Sequence, residues 1–546
     1  MKYQTWHNVG QLLLLMFLES ITYNSVALLR INNMRSNMNL FNIQKILFLL
    51  LFLAVSSQCY SDNNIVVGLF CLTPCPDNPN EFSISMNKNA ELYDEHENLC
   101  IPSQIEEDGK IYKITTIAAK GFMNCCFVKK IVIDEGITTV GRLAFNGCSD
   151  LSSVSFSSTI SSLGGCIFYN CPNLKVIDVS KANPDFDSRD QCNAVIRTSE
   201  DAVEIGCAGT TFPKSVSQIS KGAFRGCTGL LSLSVPVWIR VIDDWAFSDC
   251  FRLEKIVFSE NTTLQLGESV FDGCCSLASF NLPAGNISFF QNPFTNCENL
   301  SSFTVSPLNK EWRTNKENNA LIYNEGSVLF AGCYNTTIDD DIKRIYASAF
   351  KGCRRLTKLF IPAGMERVDE DAFSGCVNLV NIAVDKDNKV YDSREGCNCI
   401  VESHSNKIVC GSSAAVIPES VMSIGKYAFS GMNTPSVFRI PDNVVRVDEF
   451  AFMGCNNLYQ LVVPANTELK YGSFYGCARL ANAVYEPVNK YVKTKKDLTF
   501  RNTPYLSCPN LISISISGEN VPAIEYGLFL NGKVNKLAHP TNAWFH

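Results

Sequence analysis

Short apolar alternations recur along this chain, each followed by a turn and then by a second apolar step. One complete unit is Leu356–Cys376, LTKLFIPAGMERVDEDAFSGC. Leu359 and Ile361 flank Phe360, so a strand there turns the first two toward a core and Phe360 away from it. Pro362 and Gly364 turn the chain, Val368 supplies another inward residue, and Ala372-Phe373 returns to the core. Gly375 permits a tight bend that a side chain would obstruct. The strand phrase reappears at Lys255–Ser259, Leu461–Ala465 and Ser513–Ser517.

The anchor phenylalanines measure the repeat. Phe122, Phe145 and Phe168 follow one another at steps of 23, and Phe224, Phe247, Phe271 and Phe294 at steps of 23, 24 and 23. Phe350 and Phe373 keep the interval, as do Phe429, Phe452 and Phe474 (23, then 22). A fixed period of about 20–29 residues is the mark of a leucine-rich solenoid, whose units cannot bury their apolar faces alone. The fold expected is a β-rich leucine-rich repeat solenoid with parallel strands stacked at one strand per 23-residue coil.

Three anchor intervals are longer: Phe168 to Phe224, Phe294 to Phe350 and Phe373 to Phe429 are each a step of 56, which is 23 plus 33. Each gap therefore predicts a coil enlarged by ten residues: FDSRDQCNAVIRTSEDAVEIGC from Phe186, RTNKENNALIYNEGSVLFAGC from Arg313 and YDSREGCNCIVESHSNKIVCGS from Tyr391. Two apolar runs around a polar turn read as a β-hairpin in each. Counting these and a divergent anchor at Tyr505 gives about 16 coils. The organisation expected is a leader of doubtful status over 1–37, a signal peptide over 38–59, a β-rich N-terminal cap over 60–115, the solenoid over 116–535 and a tail over 536–546.

Composition narrows the function. Charged residues are 18% and the net charge is −6, so no basic field exists to hold nucleic acid. The apolar run Ile46–Val55 is followed by Ser56, Ser57 and Gln58, which fits a secretory signal and is too short to cross a bilayer. No transmembrane span is expected once it is removed. Its position predicts a start at Met38; a long leader is the alternative. Cys59 raises a lipid anchor, but Ser56 and Gln58 match a lipoprotein box poorly.

Twenty-five cysteines in a secreted chain suggest disulfides at first sight. Twelve of them, from Cys125 to Cys508, occupy one site three residues after the anchor, and Met432 replaces the thiol there once. A methionine substitutes for a buried thiol more readily than for half a disulfide, so these read as small core hydrophobes. Disulfides, if present, are expected among Cys59, Cys71, Cys75 and Cys100, or between Cys192 and Cys207.

No phosphate loop, nucleophile elbow or paired catalytic carboxylate stands out, so no enzyme and no cofactor are expected. The one local cluster, Cys397, Cys399 and His404, lacks a zinc site's spacing and ligand count, so no metal is expected. Asp243-Asp244 and Asp339–Asp341 read as solvated loop residues. Binding is instead expected on the outward residues of the strands: Val257, Asn281, Thr304, Phe360, Ala383, Arg439 and Val462, with Phe360 and Arg439 as anchors.

The phrase IP…V…I…AFxGCxxL, together with the SREGCN-type enlarged coils, resembles the BspA-like leucine-rich repeat proteins of bacteria over about residues 62–535. The resemblance implies a secreted or cell-surface protein that contacts host matrix proteins, mucosal surfaces or other cells. The function expected is a non-enzymatic interaction scaffold, an adhesin for host extracellular matrix or cell-surface proteins. The alternative is a secreted glycan-binding or nutrient-capture component, so the ligand is a protein or a glycan.

Overall fold

The computed structural model describes residues 64–88, 97–487, 503–516 and 519–522. Residues 1–37, the signal segment 38–59 with Cys59, the tail 536–546, and His7, His96, His539 and His546 lie outside the described residues. The chain divides into two compact units, Met1–Thr73 with Asn87–Ala90, and Pro74–Met86 with Glu91–His546. In the first, Ile65–Val67 pairs antiparallel with the strand beginning at Phe70.

The second unit is a parallel β-solenoid, and each regular coil feeds two ladders. The long ladder is built from strands of about four residues, such as Lys130–Ile133, Ser153–Phe156 and Val176–Val179, paired in register. The short ladder takes two or three residues per coil, as in Gln218–Ile219, Val241–Ile242 and Leu264–Leu266. Alternation fixes the faces: Leu359 and Ile361 are buried while Lys358 and Phe360 are exposed. Coil-type pairing begins earlier than residue 116. Asn98–Ile101 pairs in parallel with Lys130–Ile133, so the segment expected as a cap already holds a solenoid strand. Leu99 and Ile101 carry the apolar alternation there without an Ala-Phe phrase beside them.

The anchors form stacked columns. Phe429 and Phe452 lie 4.9 Å apart at 1°, and Phe452 and Phe474 4.9 Å apart at 9°. Such ring pairs add about 0.5–1.5 kcal/mol beyond their burial. The cysteines form a second column beside them. Nine thiols, including Cys148, Cys250, Cys376 and Cys455, donate to the carbonyl of the anchor phenylalanine one coil earlier, at 3.1–3.2 Å. The thiol is thus both a small hydrophobe and a donor that satisfies a buried carbonyl. Cys75, Cys100, Cys192 and Cys207 are free thiols. The bridge considered between Cys192 and Cys207 is absent, because each thiol instead faces a backbone carbonyl, of Ala194 and Asn193 respectively.

The three enlarged coils do carry hairpins: Ala194–Arg197 with Ala202–Gly206, Ala320–Tyr323 with Val328–Gly332, and Cys399–Glu402 with Lys407–Gly411. They have no anchor turn of their own. The anchor turns before and after a hairpin coil bond directly to each other, Asn170 N–H to the Gly226 carbonyl and Gly375 N–H to that of Ser430, both at 2.8 Å. The anchor ring after each hairpin packs over its terminal glycine. A Cβ on Gly206, Gly332 or Gly411 would lie 2.1 Å from the ring of Phe224, Phe350 or Phe429. Arg189 and Arg394 staple the first and third hairpins, holding Asp187 and Asp201 in one and Asp392 and Asn406 in the other.

Candidate functional site

The outward residues stand in register on the long ladder. Ser234 lies beside Val257, Asn281 beside Thr304, Phe360 beside Ala383, and Arg439 beside Val462. Phe360 is 52% and Val257 41% exposed. Asn281 and Thr304 are also exposed, joined by a hydroxyl-to-amide bond of 2.5 Å, and Ala383 is half-buried.

Two expectations change. Val462 points outward but is 8% exposed. The Arg439 guanidinium pairs with Glu486, two strands away, so its side chain spans the strand that carries Val462. Arg439 also holds Asp442 at 2.9 Å, and these carboxylates occupy the donors that a ligand would need.

The outward residues also do not form one continuous row. The long ladder is interrupted at each hairpin coil, and a fourth time between Lys255–Phe258 and Ser279–Leu282, where there is no hairpin. These two strands are adjacent but unpaired. The gap coincides with the 24-residue coil. Val235 is in register with Phe258, a step of 23, whereas Ile242 matches Leu266, a step of 24, so the extra residue lies in the intervening turn. A cleft of about 440 Å³ opens at this interruption, lined by Glu254, Lys255, Ser276, Ser279 and Asn281.

A second surface escaped the sequence reading. Two residues before the anchor, the regular coils other than that of Phe294 pass through the left-handed region, and glycine occupies that position at Gly222 and Gly472. Trp245, Tyr427 and Phe450 hold it with φ of +53°, +58° and +56°. Large side chains there strain the backbone by about 1–3 kcal/mol. Tyr427 and Phe450 stack at 5.5 Å, with Tyr471 and Tyr475 edge-on to Phe450. An aromatic two positions before the anchor was the available signal.

The candidate chemistry is weak. Burial pushes the Cys227 and Cys455 thiols up to about 12 and Cys192 up to about 11, so they stay protonated and inert near neutral pH. Exposed Cys100 is likewise raised to about 11, by desolvation and by Asp134, which accepts its thiol proton at 3.1 Å. Cys397 and Cys399 are buried, and each thiol faces the other's carbonyl. Among the described residues no group of three His, Cys, Asp or Glu could hold a metal ion. The acidic loops are more engaged than expected: Asp339 accepts from Lys316 N–H, Asp341 binds Arg313, and Asp244 accepts from Glu268 N–H.

The anchor turns, the paired ladders and the hairpin coils agree with what a comparison of sequences finds. The profile of the BspA type leucine rich repeat region, in six copies, matches residues 115–189, 206–319, 324–404 and 408–535. The chain belongs to this family. No curated protein matches it. A leucine rich cell surface protein from Faecalibacterium prausnitzii is similar at 19% identity, covering 79% of this chain and 96% of that one with a TM-score of 0.37. The pneumococcal vaccine antigen PcpA is similar at 16% identity over 83% and 98%, TM-score 0.36. A leucine-rich repeat protein from Bacteroides ovatus is similar at 18% over 78% and 100%, TM-score 0.31. As a BspA-type repeat, the chain is a scaffold of a kind suited to protein interaction. Among the described residues no helix is long and apolar enough to cross a membrane.

Proposed function

We propose that this BspA-type solenoid is a non-enzymatic adhesin, secreted or held at the cell surface, that binds a host matrix or cell-surface protein through its outward strand residues. Export through the signal segment after Met38 belongs to this reading. The observation that carries it is Phe360, a large apolar ring 52% exposed at the middle of a strand whose other face builds the core. Beside it Ala383 is small and leaves the ring accessible to a partner. Aromatic side chains dominate interface energetics, and a flat strand face suits a broad protein contact better than capture of one small molecule. Arg439 serves here through its ion pairs, which hold neighbouring strands, rather than as a free anchor.

The test is binding of the purified chain to an array of immobilised extracellular-matrix proteins, repeated with Phe360→Ala. Retention of at least one matrix protein, weakened about tenfold or more by the substitution, supports the reading. Full binding by the variant removes Phe360 from the contact, and no binding to any matrix protein removes the adhesin reading.

A further inference from the structure

Two clefts of similar size open on this solenoid, and they differ in whether their polar groups are already used. The one beside the second hairpin, about 410 Å³, is lined by Arg313, Asn315, Lys316, Asp339 and Asp341. Most of its polar groups are already engaged with one another. Arg313 binds Asp341 at 2.6 Å, Lys316 N–H reaches Asp339 at 3.0 Å, and Asn315 donates to Asn319 and to the Thr337 carbonyl.

The cleft at the unpaired strands, about 440 Å³, is the opposite case. The side chains of Glu254, Lys255, Ser276 and Ser279 have no partner among the described residues. Asn281 gives its carbonyl oxygen to Thr304, which fixes the amide and leaves both of its N–H donors unused. Ala278 is the exposed apolar residue of its lining, while Ile256 turns into the core. Next to the cleft, Phe251 is 41% exposed, and its carbonyl accepts from the Ser276 N–H at 3.2 Å.

We propose that this cleft binds a sugar residue of a neutral glycan. Its polar groups mix donors (Lys255, the Asn281 amide), acceptors (Glu254) and hydroxyls that do both (Ser276, Ser279). A ring bearing several hydroxyls both donates and accepts, and can satisfy that set together. One cation and one carboxylate leave no net charge, and Glu254 opposes a phosphate, sulfate or carboxylate ligand. The volume lies in the range of about 300–1,000 Å³ usual for small-ligand sites. A peptide added as a strand is disfavoured, because the Lys255 and Ser279 strands, though unpaired, remain adjacent and leave no room for a further strand between them. Asn281 is shared with the outward strand residues of the protein-binding reading, but Phe360, which tests that reading, is not in the cleft, so the two tests can fail separately.

The test is saturation-transfer NMR of the full chain against neutral oligomers of glucose, mannose, galactose and N-acetylglucosamine, followed by calorimetry on any that bind. At least one oligomer should show transfer. Asn281→Ala and Glu254→Gln should each weaken it by about tenfold, while Arg313→Ala in the self-satisfied cleft leaves it unchanged. Glu254, Ser279 and Asn281 are exposed and outside the core, so an unchanged melting curve accompanies their variants. Transfer to no neutral oligomer would overturn the proposal, as would undiminished affinity in the Asn281→Ala, Ser279→Ala double variant or tighter binding of sulfated oligomers.

Discussion

The junction between the Phe429 and Phe452 coils and the junction across the third hairpin, from Phe373 to Phe429, solve the same stacking problem differently. At the first, rings lie 4.9 Å apart and Cys455 donates to the Phe429 carbonyl at 3.1 Å. At the second a hairpin intervenes, Phe429 packs over Gly411, and Met432 stands where the thiol would be. The other two hairpin junctions place Cys227 and Cys353 at the equivalent site, and among the described residues neither makes the thiol-to-carbonyl bond. The difference teaches what the cysteine is for. It serves a plain junction as a donor matched to the preceding coil, and where that match is lost a methionine suffices.

The comparison can be broken most forcefully at the rings. Phe452→Ala, stacked on both sides, should cost about 3–5 kcal/mol in denaturant unfolding. An unchanged midpoint would mean that the column does not bind coil to coil. At a hairpin junction the sensitive residue is instead the glycine. Gly411→Ala should cost about 1–3 kcal/mol by overpacking against the Phe429 ring, whereas a neutral result would deny the close approach.

The thiols sharpen the contrast further. Cys455→Val should cost about 0.5–1.5 kcal/mol more than Cys227→Val, since a hydrogen bond is lost at one junction and none at the other. Equal costs would reduce the column to simple packing. A smaller effect follows from protonation. Burial holds Cys227 and Cys455 protonated until about 12, while an unfolded thiol ionises near about 8.5. Above that value the unfolded chain binds fewer protons than the native one, so stability is complete below about pH 8 and falls as pH rises toward 12. At pH 9 the loss should stay near or under about 1 kcal/mol per thiol; a rise in stability with pH over this range would contradict the burial.

Much of this architecture was legible because periodicity constrains the core: the anchors, the inward cysteines and the hairpins follow from spacing. What faces outward obeys no such rule. The covering of Val462 depends on an ion pair between Arg439 and Glu486, far apart in the chain, which no local pattern announces. The 24-residue step was visible, but not that its extra residue falls in the turn after Phe258 or that the ladder is interrupted there. Strand pairing from Asn98 lacked the anchor phrase, and the strained aromatics Tyr427 and Phe450 lie at a position that varies freely between coils.

The central claim is that the cysteines are part of the core rather than of a disulfide framework. Mass-resolved alkylation without reductant, on native and then on denatured protein, tests it directly. The account predicts that Cys148, Cys250, Cys274, Cys376 and Cys455 resist labelling in the native protein and label fully once it unfolds, while exposed Cys126 labels at once. Recovery of any of those five in a disulfide, or their labelling at the rate of Cys126 in the folded chain, would contradict it.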